Sequence, residues 1–407
     1  MKTVYILETN FAGNGCQAMQ FARYQGYKVH FLTSNPNDYL GRLNPLPTDI
    51  ADEFTVIDCY SFKSLAMFFD ENIDDIAAIL TFDDFHLEVC ARLCERYNLI
   101  TPNSGAISKV RDKQVARELI NNQHSKVTAC SFSLANAPDT APLDYPVVVK
   151  PTDESGSVGV TVCYNNSDWQ FAIQKLIELP TNVRSYKRTN KILVEEYIGG
   201  EEYSAELIWC TDTCDWQLIG ITKKYVTSGT SCVEIGHTFP CTKEIICAKS
   251  VEYEIKSWLR DIGLTSCVAH VEFKSHKDKL YLIEINARAA GGNIAELVHL
   301  CFDIDLVECS LNIALGKQKK VELPSSTSFG AIRFIIPKKA GCIINIKTPE
   351  AESSICKVNV RNKFPIQFDG DLSASFRLGY CISLEQTFIT AENAAFRFVE
   401  HCEVHYS

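Results

Sequence analysis

The sequence has no apolar run longer than a single strand; the stretches at 145–149 and, interrupted by Arg333, at 332–336 are far too short to cross a bilayer. It has no block of Lys and Arg, and its net charge is −10, which argues against a nucleic-acid groove as its main surface. Its 18 cysteines include no Cys-x-x-Cys; the nearest pairs are Cys90/Cys94 and Cys210/Cys214. Neither a zinc knuckle nor a paired redox motif is written there. Residues 1–10 lack a basic stretch followed by a long apolar core, so the expectation is a cytoplasmic chain whose thiols are reduced and mostly buried. No G-x-x-x-x-G-K-[ST] occurs anywhere.

What is present begins with length: 407 residues, 46% hydrophobic and 22% charged, enough for two or three compact units. Strand-like segments at 4–8, 29–33, 54–57 and 77–81 alternate with helical runs at 16–25, 61–72 and 85–96. That rhythm predicts a parallel sheet covered by helices. Gly13, Gly15 and Ala18 spell G-x-G-x-x-A at the first turn, but the second strand ends Phe31-Leu32-Thr33 without the acidic residue a dinucleotide ribose needs. A tight turn explains the glycines.

Residues 102–128 read as helical and polar, with Asn103-Ser104 as a cap and Lys113 on the helix. A buried strand, PVVVK, ends at Lys150, and the Gly/Ser-rich loop DESGSVG (153–159) leads to another strand at 160–164. Such a loop can offer backbone N–H groups to phosphate, because glycine permits close approach. An amphipathic helix near 169–179 precedes KILVEEYI (191–198), which breaks at Glu195-Glu196 and runs into Gly199-Gly200 as a connector between lobes. Strands are expected at 203–208 and 216–223, a polar segment at 227–242, and a long helix at 243–262.

Residues 268–293, VAHVEFKSHKDKLYLIEINARAAGGN, read as a hairpin with a polar turn at 275–279. Alternation puts His270 and Glu272 on one face of the first strand, and Glu284 and Asn286 on one face of the second. Two carboxylates and an amide, with no Cys, favour Mg²⁺ or Mn²⁺ over zinc. A helical run follows at 294–315, then a Pro/Ser linker at 323–328, short strands between 329 and 380, and a closing helix at 390–402.

Taken in order, Lys113, VVVKP with Lys150, DESGSVG, VEEYIGGEE, HVEF and EINAR make the chain resemble the ATP-grasp ligases, the amino-acid-ligase branch above all. The resemblance implies an α/β (α+β) ATP-grasp fold. It comprises a Rossmann-like N-terminal domain (1–105), a small lobe with the flap (106–195), a large lobe with the metal site (196–320) and a β-rich C-terminal segment packing on it (321–407). It further implies that Lys113 and Lys150 contact the α- and β-phosphates of ATP, and that Ser155, Gly156, Ser157 and Gly159 close over the phosphates. The Glu195 carbonyl, with Glu196 beside it, and the Ile198 N–H would read adenine, while Glu202 holds the ribose. Glu272, Glu284 and Asn286 would bind two Mg²⁺ (or Mn²⁺) ions, and Arg288 would flank the transferred phosphate, with Lys150 the second catalytic cation. His237, His270, Gly291, Gly292 and Arg333 are the candidate substrate contacts.

The activity so implied is ADP-forming condensation of a small carboxylate with an amine, through an acyl-phosphate, in dipeptide, natural-product or siderophore synthesis. The partners would be small molecules and a second copy of the chain in a homodimer, with neither nucleic acid nor membrane. Carboxylation with bicarbonate, nucleotide binding without chemistry, and a dehydrogenase resting on the Gly13 turn are the alternatives.

Overall fold

The structure, a computed structural model, describes residues 2–121, 125–154, 156–179, 181–182, 184, 186–241, 248–324, 328–370, 372 and 376–407. Near its start lies a four-stranded parallel sheet in the order Glu53–Val56, Lys28–Thr33, Thr3–Leu7, Ile76–Leu80. Helices cover both faces, so Thr3–Leu7 is buried at every position, as a central parallel strand requires. All four strands fall within a residue of the segments read from the sequence. The glycine turn serves packing: Gly13 has φ 84°, and a Cβ on Gly15 would lie 2.4 Å from Thr9 Oγ1. Gly15 N–H donates to that same oxygen at 2.8 Å as helix Asn14–Tyr24 begins.

Most of the remaining chain builds an eight-stranded antiparallel sheet. Its order is Lys279–Asn286, Val268–His276, Glu201–Cys210, Asp215–Val226, Glu234–Phe239, Phe329–Ile335, Gly379–Glu385, Ile355–Val360. Residues 227–242, read as a polar segment, contain the strand Glu234–Phe239, which lies inside this sheet and joins the C-terminal strands to the rest. One face of the sheet is apolar: Tyr203, Ala205 and Leu207 pack under Trp258 and Leu259 of helix Ala248–Ile262. Residues 243–247 of the expected helix lie outside the described residues.

A smaller antiparallel sheet, Ala129–Ser133, Lys191–Glu196, Val147–Pro151, Thr161–Cys163, stands beside it with helix Asn166–Ile177 on one face. A three-stranded sheet of Ile366–Phe368, Gly341–Lys347 and Glu403–Tyr406 completes the C-terminal end, its last strand following helix Phe388–Glu400.

Two runs read as continuous helix are broken. Residues 104–121 form Ser104–Arg111 and Lys113–Asn121, interrupted at Asp112, whose backbone is extended. The run at 294–315 splits into Ile294–Phe302 and Leu306–Ala314. Asp303 turns left-handed at φ 55°, and the Asp305 carboxylate caps the second helix by accepting from Val307 and Glu308 N–H. Among the described residues no helix is long and apolar enough to cross a membrane.

Candidate active site

Opposite the apolar face, cross-strand pairing gathers the polar residues into rows. Asn286 pairs with His270, and His270 with Glu206; Glu284 pairs with Glu272, and Glu272 with Ser204; Lys274 pairs with Glu202, Glu202 with Lys224, and Lys224 with His237. Directly opposed residues share a face, so strict alternation along three strands is enough to build this surface. The hairpin turns at Lys277-Asp278, both left-handed at φ 50° and 59°. Glu272 faces Glu284 while Phe273 faces Leu282, so Ile283 is an extra residue that bends the strand just before Glu284.

The carboxylates on this face are held by cations. Glu284 Oε1 lies 3.0 Å from Lys113 Nζ, which also donates to the Glu154 carbonyl at 2.5 Å. Glu272 meets Lys224 Nζ at 2.8 Å and His270 Nε2 at 3.0 Å. Burial alone would raise the Glu272 carboxyl, but Lys224 and His270 outweigh it and bring it down to about 2. Burial would likewise lower His270; the Glu206 carboxylate 2.9 Å from Nδ1 reverses that and lifts it to about 9. His270 is therefore a charged strut between two acids. Lys224 was not singled out in the sequence, yet it touches Glu272, Glu234 at 2.7 Å and Glu202 at 3.4 Å.

Where the small sheet faces this surface, a cleft of about 890 Å³ opens. Lys113, Lys150, Ser157, Glu195, Glu196, Ile198, Glu202, Glu272 and Glu284 all line it. One expectation is corrected here. Glu195 sits inside the strand, paired with Ala129 on one side and Val148 on the other, so its carbonyl belongs to the sheet. Its carboxylate reaches the cleft instead, 2.5 Å from Lys150 Nζ and 2.6 Å from Arg117 Nε. At Glu196 the strand ends, and Thr128 N–H bonds the Glu196 side chain at 2.7 Å rather than its carbonyl. The Glu196 and Tyr197 N–H groups donate to the Thr128 and Pro146 carbonyls at 2.9 and 3.0 Å, and the Ile198 carbonyl accepts from Lys274 Nζ at 3.0 Å. That leaves the Glu196 carbonyl and the Ile198 N–H as the candidate backbone pair. The flap residues Gly156, Ser157 and Gly159 are left-handed at φ 65°, 60° and 74°; Ser155 lies outside the described residues.

Burial would raise the Glu195 carboxyl, but Lys150 and Arg117 hold it at about 2, below its unfolded value of about 4.3. The pair therefore adds stability above that unfolded value, and this is lost as pH falls through the folded one. Glu195→Gln leaves two buried cations short of a charge and is expected to cost about 3 kcal/mol in urea unfolding at pH 7. A loss under about 1 kcal/mol would mean that water reaches the pair.

A second chamber of about 1530 Å³ adjoins the cleft and shares Ser157, Val158, Cys232, Glu272 and Glu284 with it. His270, Asn286, Arg288, Gly291 and Gly292 line this chamber. Arg288 is fixed by a residue missed in the sequence: its Nε and NH2 each lie 2.6 Å from an oxygen of Asp84, just past the parallel-sheet strand Ile76–Leu80. His237 is fully buried beneath the glycines, where burial lowers its imidazole to about 3. A Cβ on Gly292 would come within 2.8 Å of its Nε2. Arg333 does not reach either space. It is buried, donating to the carbonyls of His237 at 3.0 Å and Ile332 at 2.9 Å, and stacked 3.9 Å over the Tyr225 ring. The chamber's C-terminal arginine is Arg377, which the sequence did not mark.

Among the described residues no three His, Cys, Asp or Glu side chains gather as a self-sufficient metal cage. Glu272, Glu284 and Asn286 supply hard oxygen only and leave coordination positions for phosphate oxygens and water. That donor set fits Mg²⁺ or Mn²⁺.

Residues 143–296 match the ATP-grasp domain family. The chain is 25% identical over 344 residues to the uncharacterized protein y4rH of Sinorhizobium fredii, covering 80% of this chain and 67% of that one. Against alanine–anticapsin ligase of Bacillus subtilis it is 24% identical over 265 residues, 61% of this chain, and so spans about half (55%) of that protein's length. The solved L-amino acid ligase from Bacillus licheniformis superposes with a TM-score of 0.78 at 17% identity, covering 100% of this chain and 99% of that one. These likenesses bear out the expected fold, and its mixed architecture of one parallel sheet followed by antiparallel ones.

Proposed function

We propose that this chain, whose residues 143–296 match the ATP-grasp domain family, is an ADP-forming ligase that joins a small, amino-acid-like carboxylate to an amine. The observation that carries the proposal is the shared wall of the two spaces. Glu272, Glu284 and the flap residue Ser157 belong to both the cleft and the chamber, so a nucleotide in one would present its terminal phosphate to the other.

In this proposal Lys113 and Lys150 take the α- and β-phosphates as point charges. Gly156, Ser157 and Gly159 close over the β- and γ-phosphates with backbone N–H groups. The Glu196 carbonyl and Ile198 N–H read the adenine edge, and the Glu202 carboxylate accepts from the ribose hydroxyls. Glu272, Glu284 and Asn286 would hold two Mg²⁺ or Mn²⁺ ions. Bound there, the ions would neutralise phosphate oxygens and orient the γ-phosphoryl group. The substrate carboxylate attacks the γ-phosphorus in line, ADP departs, and the amine then displaces phosphate from the acyl carbon. Arg288 stabilises charge on the moving phosphoryl group, and the flap keeps water from the acyl-phosphate. No protein nucleophile is needed.

The test is a phosphate-release screen with ATP, Mg²⁺ and paired carboxylates and amines, with the condensed product identified by mass. Phosphate and amide should appear in equal amounts for at least one pair. Silence across a wide panel counts against a ligase; release that needs bicarbonate alone moves the assignment to a carboxylase.

A further inference from the structure

The chamber contains a charged group that the ATP chemistry does not use. Arg377 lines it, as do Leu372, Val233 and Ile294. Its guanidinium lies 3.9 Å over the Phe334 ring, and its NH2 donates to the Glu234 carbonyl and to Glu234 Oε2, each at 3.0 Å. The ring face and the double contact hold the plane of the group in one orientation.

The Glu234 carboxylate does not neutralise Arg377 fully, because its other oxygen lies 2.7 Å from Lys224 Nζ. One carboxylate thus serves two cations. Arg377 Nε has no hydrogen-bond partner among the described residues, although the atom is buried. With its charge part-shared, the rest of the guanidinium keeps donor capacity that an anion in the chamber can accept. The side chain is 19% exposed, so it is open to the chamber.

Its position relative to the reacting atoms follows from a short line of contacts. Lys224 Nζ touches Glu272 Oε2 at 2.8 Å and Glu234 Oε1 at 2.7 Å, and Glu234 Oε2 touches Arg377 at 3.0 Å. Two side chains, Lys224 and Glu234, therefore stand between Arg377 and the proposed metal carboxylate. That is too far to meet the phosphoryl group, and near enough to meet the far end of a small substrate.

We propose that Arg377 is a specificity-determining residue that binds a second substrate carboxylate, one that is not phosphorylated, carried by the amine donor. The assignment rests on the ligase proposal for turnover, and Arg377 would be invisible to the nucleotide. It makes the preferred amine donor an amino acid with a free carboxylate rather than its amide or a simple alkylamine.

The experiment compares amino acids with their primary amides, by calorimetric binding and as amine donors in turnover, for the parent and for Arg377→Gln and Arg377→Lys. In the parent the free carboxylate should be preferred about tenfold or more in both readouts. Arg377→Gln should erase that preference through KM, leaving kcat and the KM for ATP within about twofold, and Arg377→Lys should restore part of it. A preference that survives in Arg377→Gln, or none in the parent, overturns the assignment while turnover keeps the ligase intact. Binding that depends on Arg377 without turnover of any pair sinks the ligase proposal and upholds the anchor.

Discussion

Glu284→Gln is expected to lower ADP formation on the order of 10³-fold while leaving the fold in place. The change is nearly isosteric and removes one charge. Glu284 pairs with Glu272 across the hairpin and lies 3.0 Å from Lys113. A glutamine can still hydrogen-bond that lysine, and Lys113 keeps the Glu154 carbonyl, so the thermal midpoint of the ligand-free protein should stay near the parent's. What glutamine cannot supply is the second anionic oxygen donor of the proposed cation site. Phosphate release at saturating ATP and Mg²⁺ measures the effect. A near-parent rate would take Glu284 out of the metal site and leave it as a partner of Lys113 alone.

Arg288→Lys should reduce kcat about 100-fold, although charge is conserved. Both Arg288 nitrogens facing Asp84 are 2.6 Å from its oxygens, an arrangement that needs a planar fork. Burial works against charge on Asp84, yet Arg288 holds its carboxyl below the usual range. An ammonium would satisfy one oxygen, leave the other short, and lose the contact of Arg288 NH1 with the Ala289 carbonyl. Asp84→Asn should cost less, about tenfold, because the arginine stays in place with a weaker partner. In the double variant the two losses should not multiply, since they break one interaction. Fully multiplicative effects would mean that Asp84 does not position Arg288.

The parallel sheet, the hairpin and the flap were legible because their signals are local: alternation, strand-sized apolar runs, and glycines that tolerate positive φ. The row of Asn286, His270, Glu284 and Glu272 follows from period two alone. What escaped were partners supplied by distant chain. Asp84 lies 204 residues before Arg288, and nothing around Thr81-Phe82-Asp83-Asp84 distinguishes it from an exposed turn. Lys224 sits in a strand where a lysine ordinarily points to water, but three acids from other strands enclose it. Glu234–Phe239 was unreadable as a strand because its polar residues face Lys224 and Arg333 rather than solvent. The Asp303 break was visible in principle, since Asp303 and Asp305 flank it with the residue type that tolerates αL and caps helices. For Glu195 and Glu196 the sequence offered two adjacent identical residues, and only strand register tells which carbonyl is spent.

Two lysines that line the cleft, Lys113 and Lys150, already hold carboxylates, Glu284 and Glu195, and Lys224 holds Glu272; the third lining lysine, Lys274, donates to the Ile198 carbonyl. Occupying the site is consequently an exchange of partners rather than the filling of a bare positive groove. A phosphate that draws Lys113 away releases Glu284 to meet a cation, and a cation that engages Glu284 releases Lys113 to meet a phosphate. Nucleotide and divalent ion should therefore bind with positive cooperativity, and linkage makes the help equal in both directions.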